Sequence, residues 1–386
     1  MALKESAERV MLDLVVTEIS THETFEQLRD EWNDLLERSR ARTIFLTWEW
    51  LYSWWCHFGN DLELRLVIVR NVAGELVGIG PFCVGKQYPG VRALRFLGST
   101  CVSSEYLDVI CKPELEKAVA SLITMTLLDD LDKWDVLILS DVLDTALVFN
   151  EIRYELQARK VLLYLTATRK CPYLPLPDQK ELFLKNLGGE TRSALKRRTK
   201  KLIQLGAQVE KAVSAKALPS ELETLFALHA KRWVQRGLAS NMAQRKIQEF
   251  HVDIARQFQE HGWLWLYSLR LNNTTIASLY TFNYAGKIFY YQSGFDPDWA
   301  ATSPGFVLMG RCIEDAIGDK STEFDYLRGM EAYKSRWTKI QRTTWELTAV
   351  PAGNYRGMIY LWQMQLRIRT KQLIKYLLPR KLLSKR

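Results

Sequence analysis

Between Trp263 and Phe295 three strand-forming runs follow one another almost without interruption: WLWLYSLRL (263–271), TIASLYTFNY (275–284) and KIFYYQSGF (287–295). The residues between them, Asn272-Asn273 and Ala285-Gly286, are of the kind tight hairpin turns require. The segment is therefore expected to be an antiparallel meander. A polar loop then leads to Pro304-Gly305, which opens a helix expected to reach about 318, and EFDYLRG (323–329) follows as a strand. Three strands, a helix and a further strand argue for an α/β unit.

The first half has a similar order of elements but no residue-level repeat of the second. A strand near 12–19 precedes a helix over 24–38, with Phe25, Leu28, Trp32, Leu35 and Leu36 at helical spacing. A tryptophan-rich helix is expected over 47–58. Strands follow at 64–69 and 76–84 around a hairpin signal at 71–74, then at 94–98 and 105–110. Pro113 starts a helix to about 130, 134–142 is a buried strand, and a helix (146–159) and strand (161–166) close the half. The proline-punctuated stretch from Cys171 to Pro177 marks the best boundary. The expected division is 1–170, 171–353 and a tail, 354–386.

Six scattered cysteines form no C-x-x-C pair, and the five histidines do not cluster near them, so neither a metal site nor a disulfide framework is expected. The N-terminus lacks the uninterrupted apolar stretch of a signal peptide. No apolar run reaches the ~20 residues of a spanning helix. A cytoplasmic address is the expectation. The net charge of +9 resides in the tail, where 354–386 holds nine basic residues and no acid. On a helical wheel Arg356, Arg367, Lys371 and Lys375 share one arc, and Ile359, Trp362, Leu366, Leu373 and Leu377 gather opposite. Such a helix either binds an anionic membrane surface, making the protein peripheral at the inner face, or docks on the body.

Three stretches carry candidate chemistry. Ser303-Pro304-Gly305 begins a helix whose free N–H groups and dipole suit a phosphate. The segment from Phe324 to Trp337 packs ionisable and phenolic side chains at a strand end, where sites are usually mounted. Arg192, Lys196, Arg197, Arg198, Lys200 and Lys201 surround a helix whose apolar seam is Leu195 and Leu202. They are either a solvated face or a cradle for the phosphates of coenzyme A, a nucleotide-sugar or tRNA.

The run Asp325-Tyr-Leu-Arg-Gly-Met-Glu-Ala-Tyr-Lys-Ser-Arg-Trp337 resembles the DFxxGdexYKxxW segment of the CelD/BioF2-like acetyltransferases. That family is a branch of the GNAT superfamily related to the Fem aminoacyl transferases. His229 to Trp233 is similar to its H-x-x-R-W helix, and Ser303-Pro304-Gly305 to its acyl-carrier helix. Trp48-Glu49-Trp50, Leu97-Gly98-Ser99 and Tyr106-Leu107-Asp108 also match. Two features depart from the pattern: the R/Q-x-x-G-x-G/A phosphate loop is not intact, and Met330 stands where Asp is common.

The resemblance implies two tandem GNAT-like domains, each a mixed, mainly antiparallel sheet flanked by helices, with the first structural and the second catalytic. It implies transfer of an acyl group, acetyl above all, from acyl-CoA to an amine, without a metal. The acceptor would be an amino sugar or lipid-linked glycan of exopolysaccharide or cellulose synthesis. Glu331, Tyr333 and Lys334 are then the catalytic candidates. Ser303, Pro304, Gly305, Arg328 and Gly329 would hold the carrier, and Arg232, Trp233, Asp325 and Trp337 the acceptor. Two alternatives stand beside this reading: a Fem-like transferase using aminoacyl-tRNA, and a non-catalytic membrane-associated scaffold.

Overall fold

The computed structural model describes residues 13–87, 90–211, 214–235 and 237–377, the last seven of these by backbone alone. In chain order the strands are β1 (Leu14–Ile19), β2 (Glu63–Asn71), β3 (Leu76–Gln87), β4 (Val91–Phe96), β5 (Ile110–Cys111) and β6 (Val136–Leu143). They continue with β7 (Leu162–Pro175), β8 (Gln208–Lys211), β9 (Leu264–Leu271), β10 (Thr274–Tyr284), β11 (Lys287–Phe295), β12 (Glu323–Asp325) and β13 (Gln341–Val350). The expected meander is β9–β10–β11, with positive φ at Asn272, Asn273, Ala285 and Gly286 as its turns require.

Among the described residues these strands make one continuous sheet in the order β1-β2-β3-β4-β6-β13-β7-β12-β11-β10-β9-β8, with β5 paired to β3. Each half is an antiparallel series closed by one parallel pair, β4 with β6 and β11 with β12. The mixed, helix-flanked α/β fold is thus present twice. The halves exchange strands where they meet. β13, from the end of the chain, lies between β6 and β7, and β7 continues past it to pair with β12. The expected boundary at 170/171 therefore falls inside a strand. β7 runs through Pro172 because its carbonyl still accepts: Tyr326 N–H donates to Pro172 O at 3.0 Å.

Among the described residues two large apolar cores, and a third small one, cover the sheet. Of the large two, one belongs to the second half alone and lies under helices Gly189–Gln204 and Pro304–Gly318, which contribute Leu195, Leu202, Leu308 and Ile313. The other is shared. Trp50, on helix Trp48–Phe58, meets Phe45 edge-on at 5.1 Å within its own half, and across the seam Phe250 at 5.1 Å, Phe258 at 6.1 Å and Phe282 at 6.0 Å. Its indole N–H donates to Ser104 Oγ at 2.9 Å, so the buried polar atom is satisfied.

The strand expected over 105–110 does not form, apart from Ile110 in β5. That stretch is irregular, with Tyr106 at φ 59, because its side chains are used as links. Asp108 accepts from the Leu147 and Val148 amides at 2.7 and 3.0 Å.

Trp50→Ala should lower stability by about 3–5 kcal/mol. Because the core is shared, urea unfolding should remain one transition by both circular dichroism and tryptophan emission. Two separated transitions would show that the halves fold independently.

Candidate active site

β11 and β12 pair only from Lys287↔Glu323 to Phe289↔Asp325, and then part. At the same level β10 and β11 shift register, because Thr281 faces Tyr290 whereas Tyr280 faces Gln292. This bulge leaves Tyr291 without an opposite residue and re-aims the strand end. Two cavities open where the strands diverge. A smaller one, about 250 Å³, lies at the start of the Pro304–Gly318 helix and is lined by Ser303, Pro304, Gly305 and Trp337. A larger one, about 420 Å³, lies between the halves, with Glu105 from the first and Trp233, Tyr291 and Arg328 from the second. Arg232, Tyr290 and Tyr333 line both, so they form the common wall.

The smaller chamber is cationic. Arg198 and Arg336 lie over the Phe306 ring at 5.5 and 5.7 Å, and Arg232 over Phe295 at 5.1 Å. Among the described residues none of the three has a carboxylate or hydrogen-bond partner. The buried indole N–H of Trp337 is also unpartnered. Ser303 takes a left-handed conformation (φ 53) to start the helix, and no acid occupies the first turn. A Cβ on Gly305 would meet nothing nearer than Phe295 at 3.8 Å, so its face toward the chamber is open. Uncompensated guanidiniums at a helix N-terminus are a seat for an anion.

A chain of hydroxyls follows the common wall. Tyr333 OH donates to Tyr290 OH at 3.2 Å, and Tyr290 OH lies within hydrogen-bond distance of Ser293 Oγ. Burial pushes both phenols up from their ordinary range, so they stay protonated and able to donate at neutral pH.

Residues 189–335 match the family model described as an acetyltransferase (GNAT) domain. The second half thus carries a GNAT-type acyltransferase domain. Among solved structures the chain is similar to FemX at 11% identity, covering 87% of this chain and 97% of that one with a TM-score of 0.61. The C-terminal domain of a putative lysylphosphatidylglycerol synthetase from Agrobacterium fabrum is 9% identical, covering 87% and 95% with a TM-score of 0.53. L-PGS from Bacillus licheniformis is 11% identical, covering 88% and 96% with a TM-score of 0.51. At such identities the likeness is one of fold. A search of the curated proteins gives no match.

Within the GNAT domain the expected site residues divide. Ser303, Pro304 and Gly305 line the cationic chamber, and Trp337 joins them there rather than on the acceptor side. Arg328 does not face that chamber. Its guanidinium pairs with Glu105 and with Asp141 at 3.2 Å, and donates to Ser104 O at 2.7 Å. Gly329 lines neither cavity; its φ of 104 and its N–H to Lys170 O serve the turn. Asp325 is fully buried and accepts from Tyr106 OH at 3.0 Å and the Leu327 amide at 2.8 Å. Lys334 lines the larger chamber, but its ammonium is spent on Arg328 O at 2.7 Å, Gly329 O at 3.2 Å and Glu331 at 2.9 Å. Arg328, Gly329, Asp325 and Lys334 therefore build the turn and the seam and are not free to grip a ligand phosphate. Arg232, Trp233, Glu331 and Tyr333 do reach the larger chamber.

Sequence reasoning missed Tyr290, Ser293, Arg336 and Glu105 as site residues. The Tyr-Tyr-Gln-Ser-Gly run at the end of the third meander strand was the available signal for the first two. Glu105 gave none, since it comes from the other half. Burial pushes its carboxyl up to about 7, against the pull of Arg328 and with the help of Asp141 and Asp325.

His229 is a support, not a base. Nε2 accepts the Trp233 indole N–H at 2.8 Å, and Nδ1 pairs with Ser240 Oγ at 2.8 Å, which fixes the Nδ1–H tautomer. Burial, helped by Arg232, lowers its pKa to about 4. Nitrogen-15 NMR should therefore find His229 neutral, as that tautomer, down to about pH 4. A midpoint near the ordinary value of about 6.5 would contradict the geometry.

Proposed function

We infer that the chain moves an acyl group from acyl-CoA, held against the Pro304 helix, to an amine in the chamber between the halves. What carries this reading is the pair of cavities with one shared wall: a cationic one suited to a phosphate-bearing carrier, and a larger one lined by Glu105 and Glu331. Arg198, Arg232, Arg336 and the Gly305 amide would hold the carrier's phosphates. Aromatic Trp233 and Tyr291 beside polar Asn241 and Gln292 suit a hydroxyl-bearing amine such as an amino sugar, alone or lipid-linked. That acceptor agrees with the CelD/BioF2-like motif, and acetyl is the acyl group the motif suggests.

The amine nitrogen attacks the thioester carbon, a C–N bond forms and the C–S bond breaks. The amine must shed a proton, and of the two carboxylates in the chamber Glu105 is held by Arg328. Glu331, paired with Lys334 at 2.9 Å but exposed at the mouth where Glu105 is fully buried, accepts it directly or through water. The departing thiolate takes a proton from Tyr333; the phenolate left behind then accepts from Tyr290, reversing their hydrogen bond, and Tyr290 is reprotonated from solvent through Ser293.

A second reading keeps the site and changes the carrier to an aminoacyl-tRNA. It rests on one observation: the helix that supplies Arg198 also exposes Lys196, Arg197, Lys200 and Lys201, which have no carboxylate partner among the described residues. Calorimetry with acetyl-CoA and longer acyl-CoAs, beside salt-dependent binding of aminoacyl-tRNA, separates the two. Tight binding of the tRNA alone would replace acyl-CoA as the donor, and binding without turnover of either would favour the scaffold.

Arg232→Gln should weaken acyl-CoA binding by about tenfold or more, the loss of a charge-assisted hydrogen bond. Tyr333→Phe should cut kcat on the order of 10²-fold with KM little changed. Unaltered kcat in Tyr333→Phe would remove the phenol from the proton path.

A further inference from the structure

Among its described side chains, the helix Tyr355–Leu377 docks on the sheet by one face. Leu361 is 2% exposed in a small core with Val91, Val136 and Val350, and Tyr360 and Met364 pack against it. Gly357 is buried beside Val350 and the Asp135 carbonyl, where a Cβ would collide. At 100° per residue these positions fall on one side of the helix. The opposite side carries Tyr355 (66% exposed), Met358 (43%), Ile359 (48%), Trp362 (65%) and Leu366 (51%). Burial of the inner face thus leaves a second apolar stripe, one with an exposed tryptophan, facing outward. β7 adds to it: Leu162 pairs with Val350 and Tyr164 with Thr348, so both share the sheet face on which the helix lies, and both are exposed.

The charge around this stripe has one sign. Arg356, Arg367 and Arg369 are exposed and, among the described residues, have no carboxylate partner. The sequence from 354 to 386 contains nine basic residues and no acid. No helix among the described residues is long and apolar enough to cross a membrane. We propose that this outward face lies on an anionic lipid bilayer, with Trp362, Ile359 and Leu366 in the interface and the arginines against lipid phosphates. A second copy of the chain is the poorer occupant. A two-fold contact through this face would set one acid-free basic helix against another. The Leu373 and Leu377 side chains, also expected on the apolar side, lie outside the described residues and are not needed.

The test is co-sedimentation of the whole chain with vesicles of phosphatidylcholine alone and of phosphatidylcholine mixed with phosphatidylglycerol, with light scattering of the free protein. Binding should require phosphatidylglycerol and disappear at high salt. It should fall about fivefold for each of Arg367→Ser and Arg369→Ser, and at least as far for Trp362→Glu. All three positions are exposed, so circular dichroism and acyl-CoA binding should match the parent and separate this proposal from the reading of the active site. Equal binding to both vesicle types, binding to neither, or a dimer that Trp362→Glu dissociates would overturn it.

Discussion

Strands β7 and β13 run side by side from Gln341↔Pro172 to Val350↔Leu162, and each also serves the half to which it does not belong by chain order. β13 completes the first half against β6, and β7 completes the second against β12. A duplicated sheet joined this way cannot hinge freely, since parting the halves means breaking a full ladder of backbone hydrogen bonds and opening the core around Trp50. The rigidity has a chemical consequence. A cavity that takes walls from both halves keeps its shape, and a reacting pair needs that fixed geometry.

The irregular loop after Ser103 holds the other side of the seam. Ser104 accepts the Trp50 indole through its hydroxyl and the Arg328 guanidinium through its carbonyl. Glu105 neutralises that guanidinium, and Tyr106 donates to Asp325. Removing one partner of such a buried pair generally costs about 3–5 kcal/mol, because the other charge is left without compensation. The motif residues Asp325, Arg328 and Lys334 are thus explained by architecture. They fix the turn that carries Tyr333 to the common wall and Glu331 to the larger chamber.

What could be seen in the sequence follows from range. The meander, the proline-started helix and the polar turn are local patterns: period-two apolar runs, turn residues with positive φ, a helix cap. All formed where expected. The strand exchange left no local trace. Residues 162–170 of β7 are largely solvent-exposed and show no inward-outward alternation, and the prolines at 172 and 175 looked like a linker. β13 was not foreseen as a strand. Glu105 was assigned to a strand and escaped notice as a site residue for the same reason, since Arg328, its ion-pair partner, lies more than two hundred residues away. In the site, residue types were legible but their allotment was not. Whether a cation is free or spent depends on which carbonyls and carboxylates surround it, and that separates Arg232 from Arg328 and Lys334.

The two halves also differ at the helix start that, on the proposed reading, seats the donor. Each has a proline-started helical segment after its antiparallel strands, at Pro113 in the first half and Pro304 in the second. The segment at Pro113 opens with Glu114, and the helix that continues it begins at Glu116, paired with Arg40 at 2.9 Å. Carboxylates at a helix start occupy the positive end of the dipole and repel an incoming phosphate. The helix at Pro304 has no acid in its first turn, and the three guanidiniums around it have no carboxylate partner among the described residues. The same backbone feature is self-neutralised in one half and left open in the other. The first half instead lends Glu105 to the chamber between them, where it joins Glu331 of the second half.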